Sequence, residues 1–219
     1  MALISFQHRF IFVKTQKTAG TSVETDLSPR LEPEAIVTPI IPPEPGHVAR
    51  NYQDDQGNAL YFNHMPLTLI RERLGAGQFN SMARICIERE PVSKCISHFH
   101  MLRNSPIHDW PDGVTRSWDE YVEEGRFPYD LQRYSEVVDG ERQSLVTHVL
   151  RYDRLKTDLP ALMAVFGIPD FQLKARAKAE YSQNRLITPD QVTPEQRKRI
   201  MDAFRPSAEL LHLDWDQGA

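Results

Sequence analysis

The chain has 219 residues, 40% of them hydrophobic and 26% charged, and a formal net charge of −4. This length and composition fit one soluble globular domain, residues 1–219, with a sizeable core. The acidic balance excludes a global attraction to nucleic acid or to an anionic membrane, so any anion site must be built locally. No apolar run approaches the length of a bilayer span.

Near the N-terminus, Phe10-Ile11-Phe12-Val13 is too short for a signal-peptide core, and no small-residue cleavage site follows it. Arg9 to Lys14 reads as a short buried strand leading into a turn that contains glycine. Ala19 to Leu27 reads as a helix, stopped by Ser28-Pro29. Residues 28 to 60 differ in kind: Pro29, Pro33, Pro39, Pro42, Pro43 and Pro45 exclude regular helix and central strand. That stretch reads as an excursion over the surface.

Regular structure is expected to resume with a strand at Leu60-Tyr61-Phe62. Pro66 to Leu74 reads as a helix with proline in its first turn and Gly75 just past its end. Met82 to Glu88 alternates and reads as a strand, and Pro91 to Arg103 as the next proline-started helix. Ser117-Trp118-Asp119-Glu120 is a capping box that starts a helix to about Glu124. Val146 to Tyr152 is a further strand, and Leu155 to Phe166 a helix closed by Gly167 despite Pro160. Thr193-Pro194-Glu195-Gln196 starts a last helix through Phe204. Strands alternating with helices predict an α/β fold with a mainly parallel sheet. The two cysteines, Cys86 and Cys95, are expected as buried free thiols in a reducing cytoplasm.

Two segments carry chemistry. The first is Phe12-Val13-Lys14-Thr15-Gln16-Lys17-Thr18-Ala19-Gly20-Thr21-Ser22. A strand runs through a small-residue turn into a helix, which presents backbone N–H groups and the positive end of the helix dipole. Lys17 adds a mobile charge, and Thr18, Thr21 and Ser22 add hydroxyls, a set that suits a phosphate or sulfate group. It is not a nucleotide-triphosphate loop, because the lysine precedes the glycine and the early glycine is missing. The second segment is Ile85-Cys86-Ile87-Glu88-Arg89-Glu90-Pro91-Val92-Ser93-Lys94-Cys95-Ile96-Ser97-His98-Phe99. It places Arg89 at the carboxyl end of a strand, where α/β sheets bind ligands, and Ser97 on the second turn of the following helix. Together these two could grip a second phosphate.

The Lys-Thr-Ala-Gly-Thr-Ser loop followed by strand-Arg-x-Pro-(x)5-Ser resembles the sulfotransferases that use 3′-phosphoadenosine 5′-phosphosulfate (PAPS). It is most similar to the carbohydrate branch that includes the heparan sulfate 2-O type and bacterial relatives. The resemblance implies a P-loop-like three-layer fold with a mainly parallel central sheet flanked by helices. It implies that Lys17, Thr18, Ala19, Gly20, Thr21 and Ser22 bind the 5′-phosphosulfate and that Arg89 and Ser97 bind the 3′-phosphate. Adenosine 3′,5′-bisphosphate is then the product, no metal is needed, and the acceptor is a hydroxyl compound such as a carbohydrate or small molecule. The likeness continues weakly at Val149-Leu150-Arg151-Tyr152-Asp153-Arg154-Leu155 and in the C-terminal helices. Gln16 departs from the proline, and Glu90 from the aspartate, that many relatives carry; residues 28 to 58 match nothing in the family.

A neutral imidazole can take the acceptor's proton. His64, in Tyr61-Phe62-Asn63-His64-Met65-Pro66-Leu67, matches the family's histidine after the second strand and is the expected base; unperturbed, it would titrate near ~6.5. His98 and His100 are runners-up, and Glu24 and Glu88 are weaker carboxylate alternatives. Lys174, Arg176 and Lys178, before Tyr181-Ser182-Gln183-Asn184-Arg185, read as a solvated loop or as a lid over the ligand. Trp110, Trp118 and Trp215 read as core residues rather than sugar-stacking ones, with a place near an acceptor cleft as the alternative for Trp110. The rival readings are a P-loop kinase or NTPase, which needs magnesium and ATP, and a non-catalytic nucleotide-binding protein of the same fold.

Overall fold

The computed structural model describes residues 2–105, 114–177 and 185–215. The chain forms two compact units. One holds residues 2–88 and 130–177, the other residues 89–105, 114–129 and 185–215.

The first unit is built on strands β1 (Ala2–Ser5), β2 (Phe10–Val13), β3 (Ile36–Val37), β4 (Ala83–Glu88) and β7 (His148–Arg151). They form one five-stranded sheet in the order β3-β1-β2-β4-β7. β2 is buried at every position, as a strand covered on both faces must be. It pairs in parallel with β4, and β4 pairs in parallel with β7. β1 pairs antiparallel with both β2 and β3. The sheet is therefore mixed and not mainly parallel. The cause is the short turn between β1 and β2, which joins neighbouring strands and so permits only antiparallel pairing; parallel strands require long crossovers. Glu32 holds that turn by accepting from Phe6 N at 2.6 Å, Gln7 N at 3.1 Å and Ser5 Oγ at 2.8 Å.

Helix α1 (Gly20–Leu27) and helix α7 (Leu155–Val165) cover one face of the sheet. Val23 and Leu27 of α1 and Leu155, Leu159 and Met163 of α7 pack with Phe10, Phe12, Ile85, Ile87 and Leu150. The proline-rich stretch is more ordered than its composition predicts. It supplies β3, an edge strand, which is the position that proline-rich sequence tolerates. Arg50 fastens it by donating to the carbonyls of Ser28, Leu31 and Glu32 at 3.0, 3.2 and 3.1 Å. Leu60-Tyr61-Phe62 is a bend and not a strand, because Leu60 N and Tyr61 N both turn back onto the Tyr52 carbonyl at 2.8 and 3.0 Å. Helices α2 (Leu67–Leu74), α3 (Ala76–Asn80) and α6 (Leu131–Tyr134), with the hairpin β5 (Ser135–Val138) and β6 (Glu141–Ser144), complete this unit.

The second unit is helical: α4 (Pro91–Asn104), α5 (Trp118–Glu124) and α8 (Pro194–Leu211) enclose an aromatic core around Phe99, Trp118, Tyr121, Phe127 and Phe204. Side chains cap all three helices: Glu90 on α4, and the Ser117/Glu120 and Thr193/Gln196 boxes on α5 and α8. α8 runs past Phe204 and through Pro206 because Ile200, Phe204 and Leu211 extend its buried stripe. Cys86 and Cys95 are buried thiols that form no disulfide. Among the described residues no helix is long and apolar enough to cross a membrane.

Candidate functional site: the loop between strand β2 and helix α1

β2 ends at Val13 and α1 begins at Gly20, so Lys14 to Ala19 form the connection. Two of these residues, Lys17 and Ala19, are left-handed, with φ of 59° and 62°. Neither is glycine, so each costs about 1–2 kcal/mol that the surroundings must offset. Left-handed residues are a component of the backbone nests that bind anions. Ala19 has no side chain to cap α1, and the first turn of α1 holds no acidic residue. Its amides therefore keep their positive field for a ligand.

The hydroxyls of this loop divide by role. Thr15 and Thr18 are each 1% exposed. Thr15 Oγ1 donates to the Ile87 carbonyl, Thr18 Oγ1 donates to the Thr15 carbonyl at 3.1 Å, and the two hydroxyls lie 2.9 Å apart. Thr18 thus spends its hydroxyl inside the loop and keeps only its backbone N–H for a ligand. Thr21 and Ser22 differ, because each accepts a hydrogen bond: Thr21 Oγ1 from Lys14 Nζ at 2.9 Å and Ser22 Oγ from Ala177 N at 3.1 Å. An oxygen that accepts in this way directs its own proton elsewhere.

Beneath the loop lies an ion pair that the residue pattern does not announce. Lys14 Nζ is 3.1 Å from Glu24 Oε2, with Lys14 7% and Glu24 0% exposed. This removes Glu24 from the candidate bases, since its carboxylate serves as counter-ion to Lys14. The lysine stem also explains Gly20: a Cβ at that position would sit 2.6 Å from Lys14 Cγ.

His64 joins the loop from the other side. It is left-handed, with φ of 60°. Its Nδ1 donates to the Lys14 carbonyl at 3.0 Å, a bond that requires the proton on Nδ1 and leaves the lone pair on Nε2. Arg133 Nη1 donates to the His64 carbonyl at 2.7 Å. Arg133 Nε lies 2.6 Å from Asp130 Oδ1, an ion pair without hydrogen-bond alignment. Asp130 Oδ2 accepts from Gln16 N at 2.8 Å. The circuit Lys14–Gln16–Asp130–Arg133–His64–Lys14 therefore closes on itself. Burial, reinforced by the positive charges of Arg133 and Lys14, pushes the His64 pKa down to about 2. The ordinary value of ~6.5 therefore does not apply in the folded chain, and at neutral pH the imidazole is uncharged. Asp130 and Arg133 are absent from the sequence-derived candidates. They are remote in sequence, and Asp-x-x-Arg is an ordinary helical spacing.

Arg89 and Ser97 belong to the second unit. Arg89 follows β4 directly, as predicted, and its Nε donates to Ser93 Oγ at 2.8 Å. Ser93 and Ser97 are four residues apart on α4 and share a face, both half-buried. Ser93 escaped the sequence reading, although this spacing is its signal. His100, 3% exposed, accepts from Leu186 N at 3.0 Å, and His98 Nδ1 lies 3.0 Å from the Tyr121 hydroxyl. Both runners-up therefore serve the helical core of their own unit. A cavity of about 340 Å³ in this unit is lined by Phe99, Arg103, Arg116 and Trp118 among others.

Of the basic segment, Lys174 and Arg176 are exposed. Their strand of chain is tied to α1 through Lys174 N and Ala175 N on Asp26 Oδ2 at 2.6 and 2.7 Å. Lys178, Tyr181 to Asn184 and Trp110 lie outside the described residues.

A scan against protein-family models finds no match for this chain. An uncharacterized protein of Archaeoglobus fulgidus is similar, 25% identical over 108 residues, which is 48% of this chain and 85% of that protein.

Two outcomes follow from this geometry. Gly20→Ala is expected to lower stability against urea, although alanine usually gains about 0.5–1 kcal/mol over glycine in a helix. In a Lys14→Ala background the same change should become neutral or favourable. A stabilising Gly20→Ala in the otherwise unmutated chain would contradict the packing. The second outcome concerns pH. The folded-state pKa of His64 is below its ordinary value of 6.5, so the unfolded chain takes up the proton first as pH falls. Stability from neutral His64 is full above about pH 6.5 and declines below it by up to ~1.4 kcal/mol per pH unit. His64→Gln should flatten the stability curve between about pH 6.5 and 5; unchanged slopes would show that His64 titrates alike in both states.

Proposed function

We propose that the chain is a sulfotransferase that moves a sulfuryl group from PAPS to an acceptor hydroxyl by in-line transfer. The observation that carries this reading is the 14–22 loop. It combines two left-handed non-glycine residues, a helix N-terminus without a side-chain cap, and two hydroxyls whose oxygens already accept, Thr21 from Lys14 Nζ and Ser22 from Ala177 N. Such a set of groups at a helix N-terminus favours a tetrahedral anion. The resemblance of Lys-Thr-Ala-Gly-Thr-Ser and of Arg89 with Ser97 to the PAPS motifs selects the donor. Within this reading the parallel strands β2, β4 and β7 form the P-loop-like part of the fold.

The backbone of Thr18 to Ser22 and the hydroxyls of Thr21 and Ser22 hold the 5′-phosphate. Lys17 neutralises the bridging oxygen as the sulfur–oxygen bond to that phosphate breaks. Arg89 and Ser97 take the 3′-phosphate, with Ser93 orienting the guanidinium. The acceptor oxygen attacks sulfur and passes its proton to His64 Nε2, and adenosine 3′,5′-bisphosphate departs. An anionic donor beside His64 raises the basicity that burial has depressed, which brings the imidazole back toward a useful range when the donor is bound. The sulfuryl group carries less charge than a transferring phosphoryl group, so a lysine can serve in place of a metal. The acceptor is a carbohydrate or another small hydroxyl compound of the cytoplasm.

Adenosine 3′,5′-bisphosphate is expected to raise the melting temperature well above the effect of 5′-AMP at equal concentration. Arg89→Ala should cut the affinity difference between the two nucleotides by about tenfold or more, the loss of one charge-assisted contact. Equal binding of both nucleotides by the unmutated protein would overturn the donor assignment.

A further inference from the structure

We infer that Lys14 is a positioning residue for the donor site, one that sets the polarity of the Thr21 hydroxyl and ties the base to the loop. The inference rests on the donor reading above and extends it to a residue that no motif includes. Lys14 acts through three contacts. Its ammonium donates to Thr21 Oγ1 at 2.9 Å, its charge is balanced by Glu24 at 3.1 Å, and its carbonyl accepts from His64 Nδ1 at 3.0 Å. An ammonium has only protons to offer, so Thr21 Oγ1 must accept. The threonine proton is then directed away from Lys14, and the hydroxyl becomes a polarised donor at the first turn of α1. The stem of the lysine fills the space a side chain at Gly20 would need, so the loop can close over it only with glycine there.

A buried ion pair is a poor way to gain stability, because apolar residues of similar volume often do as well or better, whereas removing one partner alone is strongly destabilising. That asymmetry separates a positioning role from a structural one. Lys14→Met should destabilise the chain, because Glu24 is left buried without its counter-ion. Lys14→Met with Glu24→Leu should restore the melting temperature.

The decisive readout is the affinity for adenosine 3′,5′-bisphosphate, measured by calorimetry on the stable double variant. It should bind about tenfold more weakly than the unmutated protein, because Thr21 loses the ammonium that polarises its hydroxyl and fixes the direction of its proton. Adding Thr21→Val to the double variant should cost little more, since Lys14 acts through that hydroxyl. A double variant that regains both stability and full affinity would overturn the inference and make Lys14 structural. Full additivity of Thr21→Val would overturn the route through Thr21. An unmutated protein that binds no bisphosphate would overturn the donor reading itself, and this inference with it.

Discussion

A lysine ammonium is buried at a cost unless its charge and its protons are answered. In this chain the residue just after the central strand β2 is such a lysine, and the answers it receives shape everything around it. Glu24 must point down from α1 to balance the charge, which fixes the rotation of that helix on the sheet. Gly20 must lack a side chain, since the lysine stem occupies the space beneath it. Thr21 must accept rather than donate toward the interior. The first two turns of α1 are therefore fitted to what lies below them.

The sheet supplies the fixed frame for this arrangement. β2 lies between an antiparallel neighbour reached by a short turn and a parallel neighbour reached by a long crossover. Its carboxyl end is thus held on both sides, and Lys14 cannot drift. The circuit through Gln16, Asp130, Arg133 and His64 fastens the opposite flank of the loop. Two backbone carbonyls, those of Lys14 and His64, serve as acceptors in it, so the imidazole is oriented by main-chain geometry rather than by a neighbouring carboxylate. A histidine held in this way is neutral and weakly basic at rest. In the function proposed above, the donor's negative charge changes that and couples donor binding to base strength.

Much of this was legible in the chain. The helices from Ala19, Pro66, Pro91, Ser117, Leu155 and Thr193 begin within about a residue of the positions that proline, capping boxes and apolar spacing indicate. The strands at Phe10 and Ala83 follow from an apolar, partly aromatic run and from alternation around Ile85 and Ile87. The mixed sheet was not legible, because β1 and β3 are short and their pairing depends on a turn closed by Glu32, a residue far along the chain. The strand expected at Leu60 became a bend, since Tyr52 captured its amides. Lys17, Gly20 and Thr21 stand out as a motif, whereas Lys14 reads as the end of a strand and Glu24 as one more helical carboxylate. Their pairing is a tertiary fact, as is the Asp130–Arg133 brace. Sequence spacing marks which groups are available for chemistry; burial then decided that Thr18 turns inward, that Glu24 serves a lysine, and that His64 is neutral.

The most direct test is a crystal structure with adenosine 3′,5′-bisphosphate bound. The account predicts the 5′-phosphate within hydrogen-bond distance of the backbone N–H groups between Thr18 and Ser22 and of the Thr21 hydroxyl, with His64 Nε2 facing the same space. A bound nucleotide whose 5′-phosphate lies away from this loop, or a loop that stays empty at saturating ligand, would contradict it.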